Sequence, residues 1–281
     1  MADYLFNKTT TTKGEFLATV VRLLTDAGWT NVSSSPATDF YVLNSKGVNN
    51  DKNLFIQLRD YGTQGVGYNV TTSNYPVFSY RLIDNYTPGA TGLAGTTTRA
   101  SLAYSDAYIG QLGYDNATIT KSDTLELYYY VDANGISMII RPPAVRSIGS
   151  VFFLVRDNVG AIAKSSDSRG LAVTAYGHSY IMIDDTPDNM ARNNTPYIQS
   201  VYSAMSPKNP NADGIYTMSE IVYGSPSEGY RSRLDGVYAL PAQNIIEGDT
   251  FKVGNDTYTA FNVGSCGLPT AWIAVLTEKG V

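Results

Sequence analysis

The sequence predicts a mainly β protein: a sandwich-like β core braced by one N-terminal amphipathic helix and followed by a smaller C-terminal β module. Three observations carry this prediction. Helical periodicity is confined to one segment near the N-terminus. Later segments alternate apolar and polar residues, or form short unbroken apolar runs of strand length. Between them stand turn-forming clusters, of which Asp132-Ala133-Asn134-Gly135 and Gly254-Asn255-Asp256 are the clearest.

The helix is expected over residues 13–27, where Phe16, Val20, Leu23, Leu24 and Ala27 fall on one face. A threonine from the preceding Thr9 to Thr12 run caps its start, Glu15 suits the positive end of the dipole, and Gly28 stops it. Trp29 then folds back onto the apolar face. Strands follow at 39–43 and 54–59 as a hairpin with a long polar loop, Leu54, Ile56 and Leu58 alternating along the second. Residues 61–124 are rich in Gly, Thr, Ser, Tyr and Asn and read mostly as elaborated loops, with one strand candidate at 77–83. Strands at 125–131 and 136–141 flank the Asn134-Gly135 pair, which suits a tight turn with positive φ at both central positions. Pro142 and Pro143 end the second of these strands.

Buried strands are expected at 150–156 and 179–183. The segment 189–227, punctuated by Pro196, Pro207, Pro210 and Pro226, holds a strand candidate at 215–223 and is the best boundary. It divides the chain into a helix plus main β domain, 1–190, and a C-terminal module, 191–281. In that module 249–253 pairs with 257–263, and 271–276 is the last strand.

Composition narrows the function. Charged residues are 16% of the 281, against roughly 25% in ordinary soluble domains, and the net charge is −5. Polarity comes instead from Ser, Thr, Asn and Gly beside 22 tyrosines, a surface suited to wet, hydrogen-bonded contacts between subunits. Without a cluster of Lys and Arg, nucleic acid is not an expected partner. The single cysteine, Cys266, excludes an internal disulfide framework. No apolar run is long enough to span a membrane, and Met1-Ala2-Asp3-Tyr4 opens no signal peptide, so the chain is expected to be made in a cytoplasm. The sequons at Asn69 and Asn116 carry no weight there.

Candidate chemistry is sparse. The only histidine, His178, precedes Ser179 and lies near Asp184 and Asp185, but adjacent strand residues face opposite sides and no nucleophile elbow is present. Asp184, Asp185 and Asp188 miss the calcium-loop spacing and read as an Asp-rich turn. Asp60, Asp123, Glu126, Asp132 and Asp157 offer carboxylates for glycoside cleavage without any pair standing out. Cys266 reads as packing, and the glycines of 89–95 lack the Lys-Ser/Thr end of a phosphate loop. Tyr128-Tyr129-Tyr130 reads as ordinary strand, with at least one ring expected to point outward toward a subunit or a sugar. No catalytic, cofactor-binding or metal-binding residues are assigned.

Several segments together resemble a family of tailed-bacteriophage virion proteins. They are the helix ending Leu23-Leu24-Thr25-Asp26-Ala27-Gly28-Trp29, the strand and loop Tyr41-Val42-Leu43-Asn44-Ser45-Lys46-Gly47, the strand Leu54–Arg59, the Asn134-Gly135 hairpin and Ser150-Val151-Phe152-Phe153-Leu154. Leu234-Asp235-Gly236-Val237-Tyr238, Glu247-Gly248-Asp249-Thr250 and Trp272-Ile273-Ala274-Val275 complete the likeness. Ile136 and Ser137 stand where relatives often carry a basic pair, so no role is borrowed from those residues. The resemblance implies a non-enzymatic structural protein of the virion and leaves open baseplate, tail tip or neck. The tail or baseplate is the favoured expectation, with other tail, baseplate or neck proteins and further copies of itself as expected partners. A carbohydrate-binding receptor module that meets a host surface glycan, a neck or tail-completion protein and a glycan-cleaving tail enzyme are the competing expectations.

Overall fold

A computed structural model describes residues 4–33, 40–50, 53–59, 78–90, 95–100, 105–107, 122–141, 150–156, 170–174, 180–182, 197–200, 218–225, 229–241, 244–264 and 272–280. In chain order the elements are β1 (Asn7–Thr12), a 3₁₀ turn (Lys13–Glu15), α1 (Phe16–Asp26), β2 (Thr30–Asn31), β3 (Phe40–Ser45) and β4 (Leu54–Arg59). Next come β5 (Phe78–Thr87), β6 (Thr96–Ala100), β7 (Ser105–Ala107), β8 (Thr124–Asp132), β9 (Gly135–Arg141) and β10 (Ser150–Arg156). The last are β11 (Gly170–Thr174), β12 (Tyr180–Met182), β13 (Tyr197–Ser200), β14 (Ser219–Ser225), β15 (Gly229–Ala239), β16 (Thr250–Val253), β17 (Asp256–Asn262) and β18 (Trp272–Glu278).

These strands form three sheets, all of their pairings antiparallel. A central sheet runs β1-β8-β9-β10-β11-β12. A second runs β2-β3-β4-β5-β6, with β7 also on β5. The C-terminal sheet runs β13-β14-β15-β18-β17-β16 and is built wholly from residues after 190. The mainly β class, the lone N-terminal helix and the C-terminal sheet module are as the sequence predicts.

The central sheet is apolar on both sides. From β9 and β10, Ile136, Met138, Ile140, Phe152 and Leu154 join α1 and the inner residues of the second sheet, among them Leu43, Ile56, Tyr80 and Leu82. Their alternates Ile139, Val151, Phe153 and Val155 join Leu234, Val237, Phe261, Ile273 and Val275 of the C-terminal sheet. Side chains of a strand alternate between faces, so a strand covered on both reads as a continuous apolar run. This accounts for Val151-Phe152-Phe153-Leu154-Val155, in which every residue is buried. Three β layers therefore stack, with α1 packed beside the second sheet on the central one.

The helix ends as its sequence prescribes. Thr12 Oγ1 accepts the N–H of Glu15. At the far end Gly28 takes φ +97°, its N–H donates to Thr25 O and the Trp29 N–H donates to Leu24 O at 3.0 Å. That 6→1 and 5→2 pair is a Schellman motif, with Trp29 packed in the same core as Leu24.

Strands β2, β11, β13 and β15 have no counterpart in the sequence reading, and three further features differ from it. The stretch 61–124, read mostly as elaborated loops with short strands, contains β5, which bears out the candidate at 77–83 and runs on to Thr87, and also β6 and β7 among its described residues. Strand β1, read only as a lead-in to the helix, forms by pairing with β8, more than a hundred residues away. The hairpin turn also has different chemistry from that expected. Asp132 pairs with Gly135, so Ala133 and Asn134 are the central residues, and neither has positive φ. Asp132 Oδ1 instead accepts the N–H groups of Asn134 (2.7 Å) and Gly135 (3.2 Å), an Asx-type turn.

Lys13 lies buried where β1 meets the helix, and its backbone N–H donates to Asp123 O. Burial lowers its ammonium pKa from 10.5 to about 8, partly opposed by Asp123. Between these pH values the unfolded chain holds a proton that the folded chain has lost, so stability rises with pH across the window. A folded pKa lowered from 10.5 to about 8 corresponds to a gain of roughly 3 kcal/mol at most. Above pH 10 Tyr4, pushed up to about 12 by burial, reverses the trend. Urea melts from pH 7 to 10 are expected to show the rise, and Lys13→Met to abolish it.

Candidate assembly surface

A polar clasp at one end of the stack fixes how the layers meet. The turn between β8 and β9 is its hub. Trp29 Nε1 donates to Asp132 O at 3.0 Å and Ser45 Oγ donates to Ala133 O at 2.6 Å. The Val48 N–H donates to Asn134 Oδ1 at 3.2 Å, and Tyr130 OH to Asp132 Oδ2 at 3.1 Å. Buried Arg156 reaches from β10 to Ser45 O at 2.5 Å. Gly47, at φ +71°, lies against Asn134 and Arg156, where an added Cβ would come within 2.7 Å of Asn134 Oδ1. A carbonyl removed from water without a partner costs about 1–3 kcal/mol, so these donors hold the turn firmly against the second sheet.

The opposite seam carries a different set of ties. Arg141, at the end of β9, places Nε 2.9 Å from Glu247 Oε1 and its guanidinium over the Phe261 ring. Burial raises the Glu247 pKa, while the Asn262 N–H on Oε2 and Arg141 pull it back down. Ser137 Oγ donates to Asp235 O, and the Phe6 N–H donates to Leu276 O at 2.8 Å. Tyr4 stacks edge-on against Tyr130 at 5.0 Å and shares a polar cluster with Asp235 and Arg233. Burial raises the Asp235 pKa, against the hydrogen bond from Tyr4 and the charge of Arg233. Thus the N-terminal segment bridges the central and C-terminal sheets before entering β1.

Beyond these seams, among the described residues, the C-terminal sheet combines a terminal strand with exposed apolar side chains. Its outer face carries a small cluster in which Leu240, Tyr258, Ala260, Ala274 and Leu276 are buried beneath half-buried Tyr238, Phe251 and Trp272. Tyr258 meets Tyr238 edge-on at 5.8 Å and stacks on Phe251 at 6.1 Å. This sheet ends in β16, which among the described residues has a strand neighbour on one side only. Val253 at its tip is 47% exposed, and Ile246 in the preceding turn is 70% exposed. An edge with unpaired backbone groups and apolar margins can accept a strand from another chain, while short length and Lys252 discourage indiscriminate pairing.

The carboxylates considered for glycoside cleavage have structural tasks where they are described. Glu126 pairs with Lys8 at 2.9 Å, Asp132 shapes its own turn, and the Asp123 carboxylate lies near enough to the Lys13 ammonium to favour its charged form. Glu126 and Asp132 share a face of β8 six residues apart, about 20 Å along a strand, far beyond the roughly 5–10 Å such chemistry requires. The tyrosine run lies in an ordinary strand, as expected, but its rings do not point outward as the sequence reading expected of at least one. Tyr128 and Tyr130 pack against the core shared with the C-terminal sheet, Tyr129 against the core shared with α1. Both faces of β8 are therefore covered by a layer, and the run forms no outward platform. Among the described residues no group of three His, Cys, Asp or Glu is placed to hold a metal ion. His178, Ser179, Asp184, Asp185, Asp188, Cys266, Asp60 and Asp157 lie outside the described residues.

No protein-family model matches the chain, and a search of curated proteins finds no match.

Gly135 lies so close to β10 that an added Cβ would stand 1.8 Å from Leu154 O. The residue is needed for space, since its φ is not positive. Gly135→Ala is expected to force β9 away from β10 and cost about 3 kcal/mol or more, the upper range of overpacking. Urea denaturation of the purified variant checks this.

Proposed function

We propose that this chain is a non-enzymatic structural component of a bacteriophage virion, in its tail or baseplate, and that it works by subunit–subunit assembly. The observation that carries the reading is the convergence of the family-like segments. The helix ending in Gly28-Trp29, the Lys46-Gly47 loop and the Asn134-Gly135 hairpin lie far apart in sequence, yet join in one clasp. The Ser150-Val151-Phe152-Phe153-Leu154 run forms the strand beneath it. Segments that resemble one family and also share one structural task support a common origin better than scattered matches do.

Composition supports the same reading. Low charge weakens repulsion between identical subunits, and the edge at β16 with its apolar margins suits a neighbouring strand. The expected partners are other tail, baseplate or neck proteins and further copies of the chain; nucleic acid and membrane are not.

Size-exclusion chromatography with light scattering, on the chain alone and then with the virion proteins encoded beside it, tests the proposal. The expected result is a defined ring or trimer, or a stable complex with a tail subunit. Val253→Lys at the exposed edge is expected to weaken that assembly while leaving the melting temperature of the dilute, unassembled chain unchanged. A monomer that joins no virion protein would contradict the proposal. A melting temperature raised by a surface glycan would then favour a carbohydrate-binding receptor module.

A further inference from the structure

We propose that Asn134–Gly135 is a deamidation site that the folded chain holds closed, with Asp132 and the loop at 46–50 as its guards. This inference does not rest on the assembly reading. It is the only Asn-Gly pair in the sequence. Asn-Gly is chemically labile because glycine has no Cβ to hinder attack by its own backbone nitrogen. In that reaction the Gly135 nitrogen loses its proton and bonds to Asn134 Cγ, the Cγ–Nδ2 bond breaks, and ammonia leaves a cyclic succinimide. Water then opens the ring on one side or the other, giving aspartate or isoaspartate at position 134. No oxidant, metal or enzyme is required.

The fold restrains both reacting groups. The Gly135 N–H donates to Asp132 Oδ1 at 3.2 Å, and the Asn134 N–H donates to the same oxygen at 2.7 Å. A carboxylate accepting the Gly135 N–H opposes the loss of that proton, since the resulting anion would face a negative oxygen. Asn134 Oδ1 accepts the Val48 N–H at 3.2 Å, so the side-chain amide is anchored to a loop 86 residues away. Rotating Cγ toward the Gly135 nitrogen breaks this bond.

Neither half of the labile pair is readily dispensed with. Gly135 has no room for a side chain beside Leu154 O, and Asn134 supplies the acceptor that docks the 46–50 loop. The chain keeps a reactive dipeptide because the clasp needs both residues, and the same clasp slows its reaction. Isoaspartate would add a carbon to the backbone within the two-residue turn between β8 and β9. The Asp132–Gly135 pairing and the docked loop would then be lost together.

Full-length chain held in mildly alkaline buffer, folded or in urea, and followed by peptide mass spectrometry with fragmentation at residue 134, tests this. The folded chain is expected to deamidate at least about tenfold more slowly than the unfolded chain, because reaction waits on local opening. Val48→Pro, which removes the donor on Asn134 Oδ1 at an exposed position, and Asp132→Ala are each expected to speed the reaction severalfold. Both variants are first checked for a retained cooperative melt, and the one that keeps it is used. Equal rates in the folded and unfolded wild-type chain, or a folded variant that reacts no faster than wild type, would overturn the proposal.

Discussion

The structure depends on the burial of β9 and β10 from both sides. Two adjacent strands at the heart of one sheet present alternating side chains to two separate cores, one shared with α1 and the second sheet, the other with the C-terminal sheet. This arrangement sets the character of their sequence. Polar residues are admitted only where a partner waits: Ser137 donates to Asp235 O, Arg156 to Ser45 O, and Arg141 stands against Glu247. A buried polar group without such a partner would cost several times the net gain of an ordinary hydrogen bond. The clasp and the seam are thus the polar counterpart of a two-sided apolar strand pair.

Much of this fold is legible in the sequence where the signal is local. The helix, its Thr12 cap and its Gly28 stop all depend on residues within a few positions of one another. The hairpins of β8–β9 and β16–β17 are legible for the same reason, and Gly254 at φ +63° supplies the positive φ that the second turn requires. What is not legible arises from tertiary pairing. Strand β1 is a run of threonines whose extended state is fixed by β8 and by the docking of Phe6. Strand β15 contains Gly236 at φ +71°, packed under Tyr4, and register shifts interrupt its pairing with β14, so the two-residue period is blurred. The Asn134-Gly135 signal points to a hairpin, but glycine is required there by the neighbouring strand rather than by the turn.

The candidate contact surface shows the same division. Tyrosine-rich composition and low charge point to broad protein contacts, yet the conspicuous Tyr128-Tyr129-Tyr130 run is taken up between layers. Among the exposed large apolar residues, Val253 and Ile246 belong to a short edge strand and its turn and carry no motif. A surface for assembly is defined by which strand ends a sheet, and that follows from topology rather than from any local pattern. The clasp is likewise invisible to local reading, because Trp29, Ser45, Asn134 and Arg156 meet only once the layers have stacked.

The layered arrangement is tested most directly by truncating its two adjacent phenylalanines. Phe152 and Phe153 are both fully buried neighbours on β10 that point into different cores. Urea denaturation of Phe152→Ala and Phe153→Ala, measured separately, is expected to show a loss of about 3–5 kcal/mol for each. A loss near 1 kcal/mol or less for Phe153→Ala, beside a full loss for Phe152→Ala, would mean that the C-terminal sheet does not cover the central one, contradicting the account.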